Sequence, residues 1–261
     1  MLKGVIFMQK KFSTKAVVHC AMLIAIALVL RNLSYTVPMG GSGGMRMGVS
    51  GFFYKLPSLV FGPMYGGIAC GLYDLLAYVI KPEGAYIFPM TLVMIAGGVI
   101  CGFLFKAVRG HNAKTIRNIY ISFIALMGAF GAFNHLSIIC RPDGKWGAFL
   151  ISLGRKMGFF TYGFYLACLI GVLFYAINLF FQKKNKGTFA DTYMKIFLAV
   201  FVSDIFVTTA NTFVLMTFVP SLGRLGFLTF YLPRLAQEIA SVFLTSYFLT
   251  YFYALYKRLD K

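Results

Sequence analysis

Long unbroken apolar runs leave this chain few folds to choose from. Residues 16–30 (AVVHCAMLIAIALVL), 90–105 (MTLVMIAGGVICGFLF) and 157–181 (MGFFTYGFYLACLIGVLFYAINLFF) show no alternation of apolar and polar positions. A spanning helix needs about 20 mostly apolar residues. In lipid every backbone amide must be satisfied inside a helix or a closed barrel, and a barrel strand alternates. The helical solution therefore wins. Composition agrees: 59% of residues are hydrophobic and 12% charged, with a mean hydropathy of +0.78, against roughly 25% charged in soluble domains. The expected fold class is all-α, a polytopic transmembrane helical bundle forming one integral membrane domain over residues 1–261.

Eight helices are expected, near Lys15 to Val37, Val49 to Phe61, Pro63 to Ile80, Tyr86 to Val108, Asn118 to Ile139, Met157 to Phe181, Thr192 to Val219 and Phe230 to Tyr256. The net charge of +18 could suggest nucleic acid, but its placement argues for a membrane. Threading the helices from inside puts Lys3, Lys10, Lys11, Lys15, Lys106, Arg109, Lys114, Arg117, Lys183, Lys184, Lys186, Lys195, Lys257, Arg258 and Lys261 on one side. The positive-inside rule then places both termini in the cytoplasm. Anionic lipid headgroups account for this basic rim, so no nucleic-acid partner is expected. Lys3, Lys10 and Lys11 flank only the brief run GVIF, and the first spanning helix is expected to act as the insertion signal.

Cysteine and histidine point to no metal and no cofactor. Cys20, Cys70, Cys101 and Cys168 fall within helices as small apolar residues, and Cys140 falls in an outer loop. His19, His111 and His135 lack metal-ligand spacing.

In chain order, the first helix carries Ala21 and Ala25 one turn apart, a spacing that lets another helix approach closely in lipid. Arg31 ends its apolar part, and the following SYTVPMGGSGGMRM reads as a flexible outer loop that could serve as a lid. Val49 to Phe61 is short for a span and meets Gly62-Pro63 at once, so it should be tilted or broken and paired tightly with the next helix. Gly62, Gly66, Gly67 and Gly71, then Gly98 and Gly102, stand in small-x-x-x-small registers that predict close helix packing. Asp74 lies inside the third helix, where an ionisable group is costly and marks either function or an internal polar contact.

Two polar stripes follow. Asp204, Thr208 and Asn211 share one face of the seventh helix, and Arg234, Gln237, Glu238, Ser241 and Thr245 one face of the eighth. Such stripes solvate a buried ligand or hydrogen-bond helix to helix. Arg46, Arg224 and Arg234 collect on the outer side with Tyr54, Tyr73, Tyr78, Tyr86 and Phe88 near in sequence. Guanidinium forks suit carboxylates or phosphates and aromatic faces suit a flat ring, which together suggest an anionic, partly aromatic ligand.

The run MRMGVSGFFYKLPSLVFGPMYGGIACGLYDLLAYVIKPEGAYIFPMTL, an Asn-Thr pair at 211–212 and the Leu-Pro-Arg-Leu of 232–235 resemble the substrate-binding S components of energy-coupling factor (ECF) vitamin transporters, most of all the folate group. The similarity covers about Ala16 to Arg109 and Tyr193 to Arg258. It implies a vitamin-binding subunit in the plasma membrane of a prokaryote, with an outward-opening cavity in an N-in, C-in bundle. It also implies partners: an ECF coupling transmembrane subunit and two ATPase subunits. Ala21 and Ala25 match the family's small-residue docking face, and Arg46, Asn211 and Arg234 match positions near its ligand cavity. Independently, the chain has no G-x-x-x-x-G-K-[ST] phosphate loop, so ATP-driven transport must borrow its motor. Six helices are usual in the family, and residues 110–186 read as a two-helix insertion into that six-helix core. Its loop ICRPDGKWGAFLISLGRK adds Arg141, Lys145, Trp146, Arg155 and Lys156 near the mouth.

Catalytic readings are weaker. Gly48-Val49-Ser50-Gly51 resembles the serine motif of rhomboid proteases, with His135 as a conceivable base, but four residues in a Gly-rich chain match easily by chance. The expected function is thus a non-enzymatic binding subunit of an ATP-driven importer, taking folate or a related anionic pterin. Arg46, Tyr54, Asp74, Tyr78, Tyr86, Asn211, Arg234 and Gln237 are the expected substrate contacts. The alternatives are an S component for another vitamin or precursor, or a stand-alone carrier with Asp74 or Glu238 as proton sites.

Overall fold

The computed structural model describes residues 13–32, 35–38, 44–47, 50–82, 84–152, 154, 157–184, 188–223 and 226–259. The chain is an all-α bundle, with helices α1 (Thr14–Arg31), α2 (Gly51–Val60), α3 (Pro63–Ile80), α4 (Phe88–Arg109), α5 (Ala113–Cys140), α6 (Lys145–Ser152), α7 (Met157–Lys184), α8 (Thr188–Phe218), α9 (Pro220–Gly223) and α10 (Phe227–Leu259). Seven of these, α1, α3, α4, α5, α7, α8 and α10, are long and apolar enough to cross a membrane. The protein is an integral membrane protein.

The expected first helix to Val37 is too long by six residues. It stops at Arg31, and Tyr35–Pro38 (β1) pairs antiparallel with Gly44–Met47 (β2), setting Thr36 opposite Arg46. The stretch read as a flexible loop thus contains a hairpin. Pro38 cannot continue a helix, and two short extended runs joined through glycines can pair instead. Arg46 contributes backbone here; its side chain, with Glu83, Arg155, Lys156, Lys186 and Arg224, lies outside the described residues.

Two further boundaries move for local reasons. Helix α5 begins at Ala113 rather than Asn118 because the Asn112 side chain caps it, accepting from the Lys114 amide at 3.3 Å. The expected outer loop after Cys140 holds α6, whose Gly147 packs against the Ser137 and Arg141 carbonyls so closely that no Cβ would fit.

Helix α2 has ten residues, about 15 Å at 1.5 Å per residue, which is short for a span. The Ser13 amide donates to the Tyr65 hydroxyl at 3.0 Å, and Arg31 donates to the Lys81 carbonyl at 3.4 Å, so α1 and α3 run parallel. Helix α2 must return the chain between them. Its far end turns at Gly62, whose φ of +101° needs glycine, and Pro63 starts α3 with a preset φ. The His19 ring meets the Tyr256 ring edge-on at 5.6 Å, which brings the start of α1 and the end of α10 to the same end of the bundle. Lys195 donates to the Arg109 carbonyl at 2.9 Å, placing the end of α4 and the start of α8 together.

Glycine sets the tightest contact, as its spacing predicts. A Cβ on Gly98 would meet the Gly66 carbonyl, and one on Gly102 would lie 2.6 Å from the Pro63 Cα. Small residues at both faces let α3 and α4 approach to backbone contact, which in lipid supplies the packing that hydrophobic burial cannot.

The span pair α5 and α7 shares the main core. Tyr120 is wholly buried and donates to the Gly171 carbonyl at 3.1 Å, while Tyr193 donates to Tyr120 at 3.3 Å. Phe197 stacks on Phe243 at 4.8 Å and takes the Tyr120 ring edge-on, so α5, α8 and α10 meet through aromatic faces.

Candidate ligand-binding site

Helix α2 carries a charge into the bundle. Its Phe52, Leu56 and Leu59 are buried, and it packs against α1, α3, α4 and α10. That packing aims Lys55 at α8, where its Nζ lies 2.6 and 2.7 Å from the two Asp204 oxygens. The side chains are 15% and 4% exposed. Bringing both charges out of water costs several kcal/mol each, so the pair persists only because each neutralises the other at bidentate range.

Two more charges join on α10. Glu238 lies near Thr208, one turn along α8 from Asp204, and interacts electrostatically with Lys55, Asp204 and Arg234. Arg234 precedes Glu238 by one turn and sets its guanidinium 5.1 Å above the Phe230 ring. Two acids and two bases therefore meet between α2, α8 and α10. Asn211 is 9% exposed on the α8 face of Asp204 and Thr208, and its Oδ1 has no hydrogen-bond partner. Gln237 is partly buried beside Glu238 in sequence.

A second cluster sits on α3 and α4. Thr91 donates to Asp74 Oδ2 at 2.6 Å, so the Tyr86 hydroxyl, 2.6 Å from Thr91 Oγ1, must be the donor in that bond. The Tyr78 ring lies 4.9 Å from that of Tyr86, and its hydroxyl donates to the Gly84 carbonyl at 3.1 Å. Asp74 thus has internal partners. Between the clusters Tyr54 stacks on Tyr73 at 4.3 Å, and Tyr73 donates to Ser50 Oγ at 2.9 Å. His135 lies instead on α5 beside the rings of Tyr162 and Tyr165, so the Ser50 and His135 pairing of a protease is not formed.

The expected contacts therefore separate. Asn211 and Arg234 belong to the ionic centre, whereas Asp74, Tyr78 and Tyr86 form the α3/α4 cluster with Thr91. Lys55 was missed as a site residue. Its signal was present: the only charge in the apolar run FFYKLPSLV, an intramembrane cation that calls for a partner. Thr91 had no comparable signal.

On the opposite face of α3, Ala21 and Ala25 are exposed and line an apolar groove with Ile24, Ile68, Leu72 and Leu76, about 270 Å³ in volume.

Fold and site together define a polytopic helical membrane protein with a charged cluster inside the bundle. Residues 15–141, just under half of the chain, match the family model of the ECF transporter substrate-specific component. No curated protein and no solved structure matches.

Proposed function

We propose that the chain is the substrate-specific subunit of an ECF-type importer, a non-enzymatic receptor that captures a vitamin and passes it to an ATPase-driven partner complex. The observation that carries this reading is the match over residues 15–141, which spans α1, the hairpin, α2, α3, α4 and α5. Lys106, Arg109, Lys257 and Arg258 in the last turns of α4 and α10 support a cytoplasmic placement of that end of the bundle by the positive-inside rule.

The ligand enters beneath the β1/β2 hairpin and settles between α2, α3, α8 and α10. Arg234 and Arg46 meet its anionic groups, while Tyr54, Tyr78 and Tyr86 offer ring faces on the α2/α3 side. Folate or a related anionic pterin is the first substrate to test. Helix α1 presents Ala21 and Ala25 to the coupling transmembrane subunit, whose two ATPase subunits supply the energy. The pair α5 and α7 leaves that face clear because both pack on the α8 and α10 side.

Mass spectrometry of small molecules released from the gently purified protein tests the reading, followed by calorimetry with the molecule found. Recovery of a stoichiometric folate supports it, and an empty protein that ignores added folates removes the substrate. A second reading, a stand-alone proton-coupled carrier, draws on Asp74 and Glu238 as intramembrane carboxyl groups. Proton-driven uptake by the purified chain alone in liposomes would favour it.

A further inference from the structure

We infer that the joined ends of α4, α5 and α8 form a binding site for the headgroup of an anionic phospholipid with two phosphates, of the cardiolipin type. The basic residues of this rim are scattered in sequence, and the fold gathers five of them. A link of residues 110–112 joins α4 to α5, and the Asn112 cap starts α5 so that Lys114 and Arg117 follow directly on Lys106 and Arg109 in the last turn of α4. Helix α8 brings the fifth, Lys195, whose Nζ donates to the Arg109 carbonyl at 2.9 Å. Just before it Tyr193 bonds Tyr120, one turn beyond Arg117, at 3.3 Å, which ties α5 to α8 at the same level.

The charge gathered there is not balanced. Along α4, α5 and α8 the carboxylates are Asp191, in the first turn of α8, and Asp204, which lies about 20 Å deeper at 1.5 Å per residue and is paired with Lys55. Lys195 is also held in place. Its ammonium spends one of three donors on a carbonyl that the end of α4 would otherwise leave unsatisfied, and keeps the others for an anion.

The surface beneath favours a lipid over a soluble anion. Phe103 on α4 and Ile119 and Ile121 on α5 are exposed within about two turns of these cations, on the bilayer side of them. A headgroup held at the helix ends brings acyl chains to that apolar face, whereas a water-soluble anion has nothing to match it. Neighbouring helix axes stand about 8–10 Å apart, so cations on α5 and on α8 suit two linked phosphates rather than one. Basic surfaces between the ends of spanning helices suit such headgroups. Lys257 and Arg258 lie elsewhere on the rim, at the end of α10 beside the start of α1.

The test uses the full chain in a neutral detergent, with cardiolipin, phosphatidylglycerol, phosphatidylcholine or inorganic phosphate added at equal phosphate. Cardiolipin is expected to raise the melting temperature by at least about 3 °C over phosphatidylcholine, and to stay bound in native mass spectrometry. Lys114→Ala with Arg117→Ala should remove more than half of that rise. Lys257→Ala with Arg258→Ala takes the same charge from the same end of the bundle and should keep it. Lys195→Met, which cannot hold the Arg109 carbonyl, should lower cardiolipin retention at least threefold. Each rise is read against the variant's own lipid-free melting temperature, so a change in stability alone does not imitate loss of the site.

Equal losses in the two double variants would mean a diffuse basic rim and overturn the site. A rise with phosphatidylglycerol as large as that with cardiolipin overturns the two-phosphate headgroup, and the same rise with inorganic phosphate overturns the lipid. No rise with cardiolipin overturns the inference outright.

Discussion

Lys55 and Asp204 stand 149 positions apart in sequence, yet the lysine reaches both carboxylate oxygens at 2.6 and 2.7 Å. The contact ties the short helix α2 to α8 inside the bundle. It fixes the helix that follows the hairpin.

Removing one partner leaves a buried, uncompensated charge. Lys55→Ala and Asp204→Ala should each destabilise the protein by about 3–5 kcal/mol. The double change Lys55→Met with Asp204→Leu should recover most of that loss, since apolar side chains of similar volume replace a buried pair at little cost. Thermal unfolding in detergent reads the cycle. Additive losses in the double variant would mean that the two residues act independently.

The α3/α4 contact makes a prediction with its own control. Gly98→Ala forces a methyl group onto the Gly66 carbonyl, a backbone atom that cannot turn aside, and should cost about 1–3 kcal/mol. Gly110, at the end of α4, has a φ of −80° and nothing within 4 Å of an added Cβ. Gly110→Ala should therefore be neutral or slightly stabilising. Equal melting temperatures for the two variants would show that the helices can separate without penalty.

The chain's class and helix order were legible because lipid admits so few backbone solutions. Gly66 and Gly98 announced their contact by spacing, and Asp204, Thr208 and Asn211 their shared face by period. Lys55 was harder. Its partner lies far away in sequence, and only tertiary packing turns α2 so that this residue meets α8. Asp74 illustrates the converse, since its position in an apolar helix flagged a polar role while Thr91 and Tyr86, on and before the next helix, decide what it bonds. The hairpin escaped because a Gly-rich segment reads as a loop until two four-residue runs are seen to pair.

Ala21 and Ala25 expose small side chains on the outer face of α1, while Ala16, Cys20, Ile24 and Ala27 face inward. Bulk at 21 or 25 therefore does not press on the bundle. Ala21→Trp and Ala25→Trp should leave ligand binding and melting temperature near wild type, yet abolish co-purification with the coupling subunit and ATP-dependent uptake in reconstituted vesicles. Transport that survives both changes would move the docking face elsewhere.

Arg234 offers the most direct reading of ligand charge. Its guanidinium is steadied over Phe230 and lies within electrostatic range of Glu238, so its plane is held before any ligand arrives. Arg234→Ala should weaken folic acid more than tenfold, a loss of at least about 1.4 kcal/mol. Arg234→Lys keeps the charge but loses the planar fork, and its affinity should fall between the two. Calorimetry at two salt concentrations separates the contributions, because a charge contact weakens with salt whereas ring packing does not. An unchanged dissociation constant in Arg234→Ala would exclude this residue from the site and turn the test to Arg46, on the hairpin.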